Sequence, residues 1–130
     1  AATNNGLSIN NCKTHLVSPT VEGTYHDLKD MLKDGEKPAR AYFADNDLIA
    51  IGAIRAFQEA GYRIPQDIAI IGFDNTTVGT MTTPTLSTVS VNRNIMARQA
   101  VSSLLTIIKR PSPVSYKIAI STYLVIRDSA

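Results

Sequence analysis

Asn46 and Asp74 are the side chains of this chain best suited to hold a small polar ligand. An asparagine amide donates to one ligand hydroxyl and accepts from another. A carboxylate accepts from two neighbouring hydroxyls, and bonds to a charged acceptor are the stronger kind. Each residue also has a plain structural reading. Asn46 suits a helix cap or a tight strand–helix turn, and Asp74 suits an Asx turn. Arg93 is a third candidate, because it stands where a strand gives way to a helix and can reach the same cleft or face solvent. Asp47 reads as the N-cap of a helix.

The elements that must place these residues are legible around them. Residues 41–44 and 68–73 are short, continuous apolar runs, as expected of strands buried on both faces of a parallel sheet. Between them, residues 47–60 form a helical segment that Gly61 ends. A strand, a helix and a second strand make a right-handed βαβ unit with both strands running the same way. Asn46 and Asp74 then fall side by side at the carboxyl ends of the strands, where open α/β sheets bind ligands.

The rest of the chain extends this pattern. Residues 1–5 read as a last helical turn with Gly6 after it, so the chain is read as a fragment whose beginning is not a natural start. Residues 12–17 suit a short strand. Ser18-Pro19 reads as an N-cap and first helical position, ahead of Val21, Tyr25, Leu28 and Leu32 on one helical face. Residues 76–84 read as a loop with a single helical turn, and 86–91 as a strand. Asn92 caps a helix whose apolar residues Ala97, Ala100, Val101, Leu104, Leu105 and Ile108 recur at helical spacing. Residues 116–120 and 123–126 suit two further strands.

The helix after Asn46 carries no charge from Leu48 to Ile54. A sheet covers one side of such a helix, and the other needs a second cover. Leu48, Ile51 and Ile54, with Val78 and Met81 of the following loop, form the expected patch. A two-fold contact with a second copy is the commonest solution.

Several function classes have no support. With 13 Lys+Arg against 11 Asp+Glu and no basic run, the chain itself lacks a phosphate-tracking stripe for nucleic acid. The glycine-rich phosphate loops are absent, and so are metal-ligand spacings and a nucleophile elbow. Neither a cofactor nor a metal nor catalysis is expected. No apolar stretch is long enough to span a membrane. The single cysteine, Cys12, leaves no internal disulfide and favours a reducing compartment.

The longer motifs resemble one family. Ala44-Asp45-Asn46-Asp47-Leu48-Ile49-Ala50-Ile51-Gly52-Ala53 is similar to the A-x-N-D-x-x-A-x-G-A motif of the lac-repressor/galactose-repressor (LacI/GalR) transcription factors. The run from Glu59 to Asn75, with Ile64-Pro65-Gln66-Asp67 and Gly72-Phe73-Asp74-Asn75, resembles that family's E-x-G-x-x-[IV]-P-x-D-[IV]-x-[IV]-x-G-[FY]-D-[DN]. Pro84-Thr85-Leu86-Ser87-Thr88-Val89 is similar to its P-x-L-T-T-V, and Leu124-Val125-Ile126-Arg127-Asp128-Ser129 to its closing L-V-x-R-x-S.

The resemblance implies an α/β fold: a parallel sheet with helices on both faces, forming one lobe of a periplasmic-binding-protein-like effector domain. It implies that helix 92–109 belongs with the other lobe and that the DNA-binding domain lies outside this sequence. Asn46 and Asp74 match effector-binding positions, for a sugar, a sugar phosphate or, in some members, a purine. Arg93 stands where some sugar-binding members carry an aromatic ring, and Ala97 where a glycine is usual. The implied whole is a cytoplasmic homodimeric regulator that binds operator DNA through an N-terminal helix-turn-helix. A secreted sugar-binding protein of a transporter, which shares the fold, is the alternative.

Overall fold

The computed structural model describes residues 12–111 and 114–130. The expectations for residues 1–6 therefore lie outside the described residues. Helix α1 spans Val21–Lys33 and strand β1 spans Ala41–Phe43. Helix α2 spans Asp47–Glu59, strand β2 spans Ala69–Phe73, and a 3-10 turn covers Thr77–Thr80. Strand β3 spans Ser87–Ser90, helix α3 spans Arg93–Lys109, and strand β4 spans Tyr123–Val125.

The four strands form one sheet in the order β1-β2-β3-β4. β1 and β2 are parallel with Phe43 opposite Ile71, and β2 and β3 are parallel with Phe73 opposite Val89. β4 runs antiparallel to β3, with Leu124 opposite Val89, so the sheet is mostly parallel with one antiparallel edge strand. Residues 12–18 and 114–122, expected to contain strands, have no ladder partner among the described residues. A strand exists only where a neighbour completes its hydrogen bonds.

The core lies between the sheet and α2. Ile68, Ile70 and Leu86 from the sheet side meet Ala50, Ala53, Ile54 and Phe57 of α2, all of them buried. Tyr42 stacks near Phe57 at 5.1 Å between ring centroids. Helix α1 packs on α2 rather than on the sheet, burying Tyr25 and Leu28 of the expected apolar face. Its N-cap is Thr20, which accepts from the Gly23 N–H at 3.0 Å, and not Ser18 as the Ser-Pro pair suggested. At the outer seam, the Tyr25 hydroxyl and the Lys29 ammonium both donate to the Glu59 carboxylate. The Arg55 guanidinium lies 4.3 Å from the Tyr25 ring centroid.

Helix α3 buries none of its residues. Its Met96, Ala100 and Ile107 line a trough of about 510 Å³ with Tyr116, Ile118 and Ile120. Val101, Leu104, Leu105 and Ile108 of the expected apolar face remain exposed.

Candidate functional site

Strand β2 ends in a backbone turn that only a few residue types tolerate. Asp74 has φ 108° and Asn75 has φ 52°, both in the positive region. The Asp74 N–H donates to the Val89 carbonyl at 2.9 Å, which fixes the turn to the end of β3. The reversal places Asp74 and Asn75 beside Ser90, Val91, Asn92 and Arg93, where β3 passes into α3. These residues, with Asn94 and Tyr123, line a cleft of about 350 Å³. The Asp74 carboxyl makes no hydrogen bond or ion pair among the described residues, and neither does the Arg93 guanidinium. Asn75 is anchored instead: its Nδ2 donates to Ser90 Oγ at 3.2 Å, and its Oδ1 accepts from Arg127 Nη2 at 2.7 Å. One acidic acceptor, the cation of Arg93 and several amides and hydroxyls thus face a single opening. That lining suits a small molecule rich in hydroxyls.

Of the three expected site residues, the structure brings Asp74 and Arg93 into this cleft. Asn46 stands at the end of the neighbouring strand β1, outside the lining. Its Oδ1 accepts from the Ile49 N–H at 2.9 Å, so Asn46 is the N-cap of α2 and its carbonyl oxygen is largely committed there.

The cap expected of Asp47 is thereby corrected. Asp47 is 1% exposed and points under the cleft. Its Oδ2 accepts from the Thr76 N–H at 2.6 Å and the Thr76 hydroxyl at 2.8 Å. Its Oδ1 accepts from the Thr88 hydroxyl at 2.6 Å. A Cβ at Gly72 would stand 2.5 Å from that Oδ1, so the carboxyl occupies the space a side chain on β2 would need. Asn75, Ser90 and Arg127 were not singled out from the sequence. Asn75 directly follows Asp74, so the adjacency was the available signal. Arg127 reaches the site across 52 residues, which no spacing rule reveals.

The residues of the expected self-association patch differ in exposure. Leu48, Val78 and Met81 are 39%, 46% and 75% exposed. Ile51 is half-buried against the core, and Ile54, 3% exposed, belongs to the core itself. The correction concerns Ile54, which cannot meet another molecule. An Ile54→Arg variant is expected to lose the cooperative unfolding transition, because an unpaired charge would enter the core. Met81→Arg is expected to change stability by less than about 0.5 kcal/mol, as for other surface changes. Urea unfolding followed by circular dichroism separates the two. A stably folded Ile54→Arg protein would refute the inward placement.

Among the described residues no group of His, Cys, Asp and Glu could hold a metal ion, and no helix is long and apolar enough to cross a membrane.

The whole chain, residues 1–130, matches the family model described as a periplasmic binding protein-like domain. Over 110 residues it is 38% identical to the HTH-type transcriptional regulator GalR of Streptococcus thermophilus, covering 85% of this chain and 33% of that protein. It is 33% identical over 108 residues to the ribose operon repressor of Haemophilus influenzae, covering 83% of this chain and 32% of that protein. The chain thus spans about a third of the length of these curated relatives. Among solved structures it superposes on a LacI-family regulator of Sanguibacter keddieii with TM-score 0.87 and 32% identity, covering 98% of this chain and 49% of that one. It also superposes on a LacI-family regulator of Enterococcus faecalis with bound ribose, with TM-score 0.76 and 29% identity, covering 87% of this chain and 41% of that one.

Proposed function

The chain belongs to the periplasmic binding protein-like domain family, within the LacI/GalR-type regulators, and from that membership we propose that it senses a sugar-like effector for a transcription regulator. The observation that carries the reading is Asp74, a carboxyl without a protein partner among the described residues, held at the rim of a polar cleft beside Arg93. The cleft lies at the carboxyl ends of β2 and β3, the edge where α/β sheets bind their ligands. A relative with bound ribose supports a sugar or sugar phosphate as the effector. In this reading Asp74 accepts from ligand hydroxyls, Arg93 contacts the ligand beside it, and Asn46 offers its remaining amide hydrogens from the end of β1. The transporter-protein alternative is not favoured, since the curated relatives named here are regulators of transcription.

The wider assignment follows the relatives. The regulator acts in the cytoplasm as a homodimer and binds operator DNA through a helix-turn-helix domain supplied by a longer chain. Leu48, Val78 and Met81, with the half-buried Ile51 beneath them, form the dimer contact in this reading. Effector binding alters DNA affinity by no more than its own preference for one state over the other.

The test uses the full-length regulator. Calorimetric titration against D-ribose, D-galactose, lactose and their phosphorylated forms identifies the effector. Asp74→Ala is then expected to weaken binding about ten- to a hundredfold, the equivalent of a charged hydrogen bond worth roughly 1.5–3 kcal/mol. Unchanged affinity in a folded Asp74→Ala protein would remove Asp74 from the site.

A further inference from the structure

The turn that carries Asp74 is conformationally demanding. Asparagine visits the left-handed region readily, so φ 52° at Asn75 is tolerable. Asp74, at φ 108°, lies outside that favoured region and persists only if its surroundings hold it. Three consecutive N–H groups do part of this. Asp74 donates to the Val89 carbonyl at 2.9 Å, Asn75 to Thr88 Oγ1 at 3.3 Å, and Thr76 to Asp47 Oδ2 at 2.6 Å. The Asn75 contact is the longest of the three, and it is there that a side chain from the far end of the sequence adds a grip.

Arg127 Nη2 donates to Asn75 Oδ1 at 2.7 Å while its Nη1 donates to the Leu86 carbonyl at 2.6 Å. The Arg127 N–H donates to Ser87 Oγ at 2.8 Å, which roots the residue on β3. A planar guanidinium presents its donors as a fixed fork. Here one prong holds the entry of β3 and the other holds the turn after β2. The ion pairs found among the described residues do not include Arg127, so both charged prongs serve neutral oxygens. Nδ2 of Asn75 continues the chain of bonds to Ser90, on the cleft wall.

We infer that Arg127 is a positioning residue of the cleft: through Asn75 it holds the left-handed turn that presents Asp74. The inference rests on the role proposed for the cleft, but the clamp is testable without ligand. Amide hydrogen exchange by NMR on the free, folded protein reads it directly. In Arg127→Met the Asp74 and Asn75 amides should exchange at least tenfold faster. Thr76, held separately by Asp47, and Ala44, held by the Ile71 carbonyl at 2.9 Å, should keep their wild-type rates. Arg127→Lys, with one ammonium for two oxygens, should fall between. Asn75→Gly adopts the turn freely and removes the acceptor, so adding Arg127→Met to it should change Asp74 exchange less than twofold. Unchanged exchange in Arg127→Met would show that the turn holds itself and overturn the inference. Equal acceleration at Thr76 and Ala44 would also overturn it, since Arg127 would then only stabilise the sheet. If the exchange pattern is as expected while Asp74→Ala binds effector normally, the clamp stands and the functional reading falls.

Discussion

Asp47→Ala is expected to lose about 3 kcal/mol of folding stability, among the largest effects of any polar substitution in the described residues. The carboxyl is 1% exposed and accepts three hydrogen bonds. Truncation strands the part-buried Thr76 N–H and hydroxyl and the buried Thr88 hydroxyl, and each orphaned buried donor costs about 1–3 kcal/mol. The hydroxyls can rotate toward other acceptors, which keeps the total near the lower end of that sum. Asp47→Asn separates the geometry from the charge. Its carbonyl oxygen can still accept from Thr76, and its amide can donate to the Thr88 hydroxyl, because a hydroxyl accepts as well as donates. That variant should lose only about 1 kcal/mol. Urea unfolding of both variants gives the answer. Equal losses would mean that the charge, not the three-way bonding, holds the junction.

Gly52→Val is expected to lose about 3 kcal/mol or more through steric conflict between α1 and α2, at the upper end for overpacking. A Cβ at Gly52 would stand 2.5 Å from the Val21 carbonyl oxygen and 2.8 Å from Thr24 Cβ. The first of these is backbone and cannot rotate away. Thr24 is fully buried, and its hydroxyl is already bonded to the Ser18 carbonyl at 2.8 Å. The two helices must therefore move apart or slide. Gly52→Ala meets the same obstacle with a smaller group, and its better helix propensity returns roughly 1 kcal/mol. A net loss of about 1–2 kcal/mol is expected for it by urea unfolding. A neutral or stabilised Gly52→Ala protein would show that α1 adjusts freely on α2.

The βαβ unit was legible because its signals agree at several levels: apolar runs, an Asx residue at each strand end, and a glycine after the helix. The position of Asp74 followed from that topology alone. The division of labour between Asn46 and Asp47 did not. Both residue types cap helices well, and successive helical positions are rotated by roughly 100°, so moving the cap by one residue sends the next side chain elsewhere. Ile54 was misplaced for a related reason. From Leu48 to Ile54 the helix has no polar residue to mark its outer face, and composition cannot say which isoleucine turns inward. Residues 116–120 suit a strand by residue type, but residue type is silent about whether a neighbouring strand exists to receive it. Arg127 was quoted within a tail motif, yet its contact with Asn75 lies in tertiary structure that local periodicity does not encode.

The tail has one more consequence, for the order in which the molecule is made. The Ser129 hydroxyl donates to the Ile70 carbonyl at 2.6 Å and accepts from the Ser87 N–H at 2.8 Å, and the Ser129 carbonyl accepts from the Ile70 N–H at 2.8 Å. One late residue thus stitches two adjacent strands across a separation of 59 positions. Synthesis is vectorial, so β2 and β3 leave the ribosome well before their stitch does. Until then Ile70 and Ser87 have only solvent or each other's neighbours for partners. Closing so long a loop costs entropy before any contact repays it, which places the step late and makes it slow. Before Ser129 arrives, β2 and β3 are joined only by their own ladder, from Ile71 opposite Ser87 to Phe73 opposite Val89.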